Sequence, residues 1–381
     1  MKTLFEKAIL IFCLVSCMIN RGFCQNQIGD EIRQLMAEYK AVGLSVAVVN
    51  KGDIIFAEAF GKKNMEKGED LAINHLFRIA SISKSFSATA VMQLVEKGKL
   101  KLSDDVSGLI GFSVRHPNYP ETPITLEMLL SHTSSLNDSQ GYFNLDVIDP
   151  ATNALASKCY NSYRPGTDYQ YCNLNFNMVG TIIERVSGLR FDEYIRKNIL
   201  EPMGLYGGYC VDSLDQNRLA MIYEYNKKTG EFVVQPDAYH PRREILASYQ
   251  MGRSTPVFSP TGGMKINAPD LAKYMTMHAN YGTYQRQRII KKKNSKRMQT
   301  PVPNAKGYGL GLTQMEKLIP GKLLKGHTGS AYGLHSIMVF EPREKWVIVA
   351  ITNGSNPVYT DGRNEFLAKV TELLYRRLVE K

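Results

Sequence analysis

The sequence is short of several features that would settle its class at once. Its 381 residues include six cysteines and a single tryptophan. Cys13, Cys17 and Cys24 crowd the N-terminus, while Cys159, Cys172 and Cys210 form no Cys-x-x-Cys pair and no metal-ligand spacing. A disulfide scaffold and a zinc module are therefore excluded. One disulfide among the last three stays open in an oxidising compartment, with no pair favoured. After the first thirty residues no run is apolar for long enough to span a bilayer. Repeats, low-complexity tracts and flexible linkers are missing, which removes fibrous and disordered classes. Three common catalytic signatures are absent as well: Gly-x-Ser-x-Gly, His-Glu-x-x-His and Gly-x-x-x-x-Gly-Lys-Ser/Thr.

What remains is ordinary globular composition, 44% hydrophobic and 22% charged, with a net charge of +11. The positive excess is spread thinly except for one run, Arg286, Arg288, Lys291, Lys292, Lys293, Lys296 and Arg297. No aromatic platform or zinc-finger spacing accompanies it, so it reads as a solvated face and not as a nucleic-acid surface. Contact with an anionic envelope surface is the other reading of that run.

The N-terminus carries a leader. Lys2 and Lys7 precede an apolar run from Ala8 to Ser16, too short for a membrane span and right for a signal-peptide core. Its end admits two readings. Leu14-Val15-Ser16-Cys17 looks like a lipobox, which makes residues 1–16 the leader and Cys17 a lipidated membrane anchor. Cleavage nearer Cys24 makes it residues 1–24. Either way the chain is expected to be exported to the periplasm or cell envelope.

Residues 28–40 have apolar positions at helical spacing. Two strands follow between Val42 and Phe60, joined by the turn Asn50-Lys51-Gly52-Asp53. A helix starts near Ser81 and stops at Gly98. Between about 100 and 250 the pattern is helix and loop, with Leu126–Ser131, Asn173–Ser187 and Phe191–Ile199 as the clearest helices. After Gly262 strand character returns as an antiparallel meander, and an amphipathic helix from about Arg363 to Val379 closes the chain. The expected fold is α/β: an antiparallel sheet flanked by helices, with residues 28–99 and 251–378 in one lobe. A mostly helical lobe, about 100–250, is inserted between them, and the cleft between lobes is the expected active site.

Chemistry enters at Ser81-Ile82-Ser83-Lys84. On a helix, positions i and i+3 share a face, so the Ser81 hydroxyl and the Lys84 ammonium are neighbours. A serine hydroxyl becomes nucleophilic when a base takes its proton, and lysine serves as that base once burial lowers its pKa. Alone, the spacing equally describes a capping serine and a surface lysine. Tyr171-Cys172-Asn173 adds a tyrosine able to relay a proton and an asparagine able to orient an amide, opposite the reading of core aromatic and helix cap. Gly326-His327-Thr328-Gly329-Ser330 adds a strand edge of small residues, whose main chain could join that of Ser81 around an oxyanion.

These three segments, in this order, resemble the serine β-lactamase and penicillin-binding-protein superfamily, whose Ser-x-x-Lys motif is well known. The resemblance is closest to the class C branch, with its D-alanyl-D-alanine carboxypeptidases, D-aminopeptidases and esterases, and it covers residues 28–378. Phe77-Arg78-Ile79-Ala80-Ser81, Ile124 through Ser134, Pro260-Thr261-Gly262-Gly263-Met264 and Tyr308-Gly309-Leu310-Gly311 agree with it. It implies that Ser81 is acylated, that Lys84 is its partner and that Tyr171 serves both half-reactions. Asn173, His327, Thr328 and Gly329 would bind substrate, and the Ser81 and Ser330 N–H groups would form the oxyanion hole. No metal and no organic cofactor is implied, and the partner is a small-molecule or peptide substrate. His327 stands where class C β-lactamases have lysine, as in peptidase and esterase members. Ser135 stands where the family usually has glycine. His132 reads as a structural loop residue, and His335 as a structural histidine near the cleft. An acyl-enzyme hydrolase of D-amino-acid peptides or amides is the expected function, with a carboxylesterase and a non-hydrolytic penicillin-recognising sensor as alternatives.

Overall fold

The computed structural model describes residues 26–380; the leader, with Cys17 and Cys24, lies outside them. Helix α1 (residues 26–38) leads into the hairpin of β1 (Gly43–Asn50) and β2 (Asp53–Asn64). A short β3 (Glu69–Asp70) pairs with the end of β2. The chain returns to the same sheet much later through β4 (Thr313–Met315), β5 (Leu324–Ala331), β6 (Leu334–Glu341) and β7 (Trp346–Gly354). The order across the sheet is β4-β5-β6-β7-β1-β2-β3, antiparallel at every step. β1 from the N-terminal part lies beside β7 from the C-terminal part, so the sheet is closed only when both ends of the chain are present.

Alternation along the strands explains the layers. Leu44, Val46 and Val48 of β1, with Trp346, Ile348 and Ala350 of β7, pack beneath α1 and the terminal helix. That helix, α5 (Glu365–Leu378), is capped by the Asn364 side chain. Ala47 and Val49, with Val347, Val349 and Ile351, face the other way into a larger core. That core is shared with α2 (Ser83–Glu96), α3 (Asn173–Ser187) and α4 (Ala268–Ala279). Both faces of the sheet are covered, as its near-continuous apolar strands require.

The expected antiparallel sheet flanked by helices is present. Details differ. Within residues 307–315 strand character is confined to Thr313–Met315, because Gly309 and Gly311 fold the preceding residues into a tight loop instead. The region from 100 to 250 also contains a hairpin, Tyr223–Asn226 with Glu231–Val234. Cys159, Cys172 and Cys210 are buried and unpaired, so none of the three forms a disulfide. Among the described residues no helix is long and apolar enough to cross a membrane. The basic run forms an exposed face around the helix Lys292–Gln299, with Arg297 paired to Glu127 at 2.5 Å.

Candidate active site

Ser81 lies in a single 3₁₀ turn, Ala80–Ile82, which runs directly into α2 at Ser83. The turn is strained at its first residue: Ala80 has φ +48°, a left-handed conformation costly for any residue with a Cβ. Its place is fixed from the strand side. A Cβ on Gly329 would sit 2.3 Å from the Ile79 carbonyl oxygen and 3.1 Å from the Ala80 Cβ, so only glycine lets β5 approach this closely. Ser336, opposite Gly329 in the ladder, donates its hydroxyl to the same Ile79 carbonyl at 2.9 Å. β4 covers β5 only from Leu324 to Gly326, leaving the outer edge from His327 onward to face the nucleophile.

Lys84 is fully buried on the first turn of α2. Its ammonium donates to Ser81 Oγ at 3.2 Å, to Asn173 Oδ1 at 2.9 Å and to the Thr261 carbonyl at 2.9 Å. It also lies 4.7 Å from the centre of the Tyr171 ring. Burial lowers its pKa to about 7, with the Asp138 and Cys172 side chains holding it from falling further. A base that shares its proton near neutrality therefore stands in contact with a serine hydroxyl.

Tyr171 lines the same cavity as Ser81, and burial pushes its hydroxyl far above the ordinary range, offset in part by its interaction with Ser81. It is a proton donor here, not an anion. The His132 ring packs against it, tilted by 30° with ring centres 4.3 Å apart. Cys172 N–H donates to His132 Nδ1 at 3.1 Å, so the proton of this neutral ring sits on Nε2. Burial and the charge of Lys84 keep His132 well below its ordinary pKa. Its place is behind Tyr171, as a structural loop residue. Close by, Ser135 has φ +64°, the conformation for which glycine is preferred, and its hydroxyl donates to the Tyr163 carbonyl at 2.6 Å.

Asn173 opens α3, and its side chain is occupied by the protein. Oδ1 accepts from Lys84 and from Thr261 Oγ1 (2.8 Å), and Nδ2 donates to Asp138 at 2.9 Å. Only the second Nδ2 hydrogen is left for a substrate. Asp138 also accepts from the main-chain N–H groups of Asn173 and Leu174, at 2.9 and 3.0 Å. The sequence reading missed Asp138, which lies in a loop 35 residues before the helix it caps.

His327, Thr328, Gly329 and Ser330 of β5 line a cavity of about 230 Å³ together with Ser81 and Tyr171. His327 Nδ1 donates to the Thr328 carbonyl at 2.6 Å, so Nε2 accepts from the Tyr308 hydroxyl at 2.8 Å. Burial and Lys84 lower its pKa to about 3. The ring is neutral with both nitrogens engaged, and it offers no charge to a ligand. Tyr308 belongs to a segment that agrees with the family resemblance, but the sequence reading assigned it no role in the site. Its loop is held where Gly311, at φ +67°, packs against the α2 backbone at Lys84. His335, Tyr359 and Arg363 also line it, His335 bonded to the Tyr359 hydroxyl at 2.8 Å.

The structure thus brings Ser81, Lys84, Tyr171, Asn173, His327, Thr328, Gly329 and Ser330 to one place. Comparison with known proteins bears on the family and the fold. A family model described as Beta-lactamase matches residues 28–372. Protein flp of Staphylococcus aureus (strain MRSA252) is 22% identical over 374 residues, 93% of this chain. The chain spans 66% of that relative's own length, just under two thirds. The octameric penicillin-binding protein homologue from Pyrococcus abyssi is 28% identical over 92% of this chain and 77% of its own, with a TM-score of 0.72. The D-amino acid amidase from Ochrobactrum anthropi SV3 has a TM-score of 0.70 over 94% of this chain and 97% of its own. Its identity of 22% makes that a likeness of fold.

Proposed function

The chain belongs to the β-lactamase family, and from that premise we propose that it is an exported hydrolase working through an acyl-enzyme on Ser81. One observation carries this reading: a fully buried lysine, with its pKa lowered to about 7, in hydrogen-bond contact with a serine hydroxyl. The deprotonated fraction of Lys84 takes the Ser81 proton as Oγ bonds to the substrate carbonyl carbon. The resulting oxyanion is held by the N–H groups of Ser81 and Ser330. The bond to the leaving nitrogen or oxygen then breaks, with Tyr171 supplying the proton and regaining one from the Lys84 ammonium. Water repeats the sequence in reverse, releasing the acid and restoring Ser81. Asn173 fixes Lys84 and offers its remaining N–H to the substrate carbonyl.

The substrate class we propose is a D-amino-acid peptide or amide, and the amidase of like fold supports it. His327 is uncharged, so a carboxylate on the leaving group would meet Arg363, which lines the same cavity. The neutral third motif also suits ester substrates, which is why an esterase is the second reading. Export, with cleavage near Cys24 or lipidation at Cys17, rests on the leader sequence and belongs to the same proposal.

A fluorophosphonate probe tests the mechanism. It should label the protein at Ser81, by peptide mass mapping, and Ser81→Ala should abolish labelling. Labelling at a different serine would sink the proposal. A panel of D-Ala-D-Ala peptides, D-aminoacyl amides and p-nitrophenyl esters, followed by acyl-enzyme mass, then separates amide from ester turnover.

A further inference from the structure

A second and larger cavity, about 830 Å³, shares no lining residue with the first and has no part in the chemistry above. Its size is that of a ligand site. Arg78, three residues before Ser81, and Tyr332, two residues after Ser330, both line it. His327 opens the uncovered part of the β5 edge and Tyr332 follows the last residue of β5, with Gly329 and Ser330, which line one cavity with Ser81, between them. Tyr171 and His327 are neighbours, with ring centres 6.4 Å apart. If Tyr171 protonates the leaving group, the leaving group lies at that end. The acyl arm then runs the other way, past Ser330 toward Tyr332 and this cavity.

The walls of the cavity carry positive charge without its usual partners. Arg78 is only 7% exposed, with its guanidinium 5.0 Å from the centre of the Tyr332 ring. It donates to the carbonyls of Gly262 (2.9 Å) and Ala238 (3.2 Å) and to Ser259 Oγ (3.5 Å). Three of its five N–H groups are used, which leaves two. Among the described residues, neither the Arg78 guanidinium nor that of Arg242, which also lines the cavity, is in an ion pair; the Asp212 carboxylate instead accepts the Arg242 main-chain N–H at 2.7 Å and pairs with Arg243 at 3.5 Å. Burial lowers the Arg78 pKa and the charge of Arg242 adds to that, as both arginines add to the lowering of buried Lys265. Of the cavity's acidic residues, Asp146 is paired with Arg253 and Asp237 is exposed, where water screens it. Arg242 is half-buried, but a buried guanidinium such as Arg78, left without a counter-charge, costs free energy that an anionic ligand group would recover.

We infer that this cavity is the subsite for the acyl arm of the substrate, and that it takes a carboxylate carried on that arm, between Arg78 and Arg242. The inference rests on the acyl-enzyme reading of Ser81. A planar guanidinium with two free donors matches the two oxygens of a carboxylate. Specificity would therefore be set on the acyl side, opposite to the neutral His327.

The test is a pair of activated esters that differ only at the far end of the acyl chain: the mono-p-nitrophenyl ester of suberic acid and its ω-carboxamide. The wild-type protein should prefer the carboxylate by about tenfold in kcat/KM, the difference expected of one charge-assisted pair. Arg242→Ala should bring the ratio near one, as should Arg78→Gln if it folds. Equal rates for both esters in the wild type, or a preference that survives Arg242→Ala, would overturn the subsite. If neither ester is cleaved in a Ser81-dependent way, the acyl-enzyme reading fails and calorimetry with suberate decides the subsite alone. Binding by the wild type that weakens about tenfold in Arg242→Ala supports it, and absence of binding by the wild type refutes it.

Discussion

At the scale of single residues, the site depends on one proton on Lys84. Burial lowers its pKa from 10.5 to about 7, so the neutral form that can accept the Ser81 proton grows as pH rises through 7. We expect kcat/KM for an activated ester to rise with an apparent pKa near 7 and then level off. Lys84→Arg keeps the charge and never loses it, so its rate should fall by about 10³-fold or more at every pH. A profile flat between pH 5.5 and 8.5 would remove Lys84 as the base. The pairing of Ser81 with Lys84 was legible because helix geometry turns a spacing of three into a contact. The state of His327 was not. Its neutrality follows from burial and from the Tyr308 hydroxyl, which reaches it through a loop that no local pattern places.

At the scale of elements, α3 is held by a residue outside it. Its N-cap position, Cys172, makes no side-chain cap hydrogen bond. The Asp138 carboxylate supplies that cap from a distant loop, and its charge suits the positive end of the helix. It also fixes Asn173, and through Asn173 it fixes Lys84. Asp138→Ala should destabilise the protein by about 2–3 kcal/mol, the sum of a lost cap and an unpaired buried amide. It should lower kcat/KM by about tenfold or more, and the acid limb of the rate profile should move below pH 7, since Asp138 is the main group holding the Lys84 pKa up. Urea unfolding and the same pH profile measure both; a variant with wild-type values would show that α3 needs no external cap. The sequence showed α3 itself, with its apolar stripe ending at Gly188. It did not show Asp138, because a cap supplied through tertiary contact leaves no mark at helical spacing. The sheet was legible for the opposite reason. β1, β6 and β7 are runs of apolar and β-branched residues whose burial on both faces dictates helices above and below.

At the scale of the whole molecule, the larger core contains histidines that fold as neutral rings. Burial lowers His278 and His327 to about 3 and His335 to about 4, and places His132 well below its ordinary value. In the unfolded chain each titrates near 6.5. Between pH 6.5 and about 4 the unfolded state therefore holds protons that the native state refuses, and stability falls as pH falls. Each ring contributes up to about 1.4 kcal/mol per pH unit across that window, and carboxylates with lowered pKa values add their own loss only further down. Buried Lys84 acts in the same direction on the alkaline side. Its native pKa near 7 lies below its unfolded value, so stability increases from about pH 7 to 10.5 as the unfolded chain alone keeps that proton. The urea midpoint should therefore drop measurably between pH 7 and pH 5, before most carboxylates titrate. His278 separates this effect from catalysis. It lies on α4, hydrogen-bonded to Tyr274 at 3.2 Å and Thr89 at 3.3 Å, and has no contact with the nucleophile. His278→Gln should flatten the dependence between pH 7 and 5 while leaving the Lys84 limb of the rate profile in place. A midpoint equal at pH 7 and pH 5 would mean that these rings gain protons inside the fold. The same measurement bears on the active site, because His327 and His132 are held neutral by the burial that lowers Lys84.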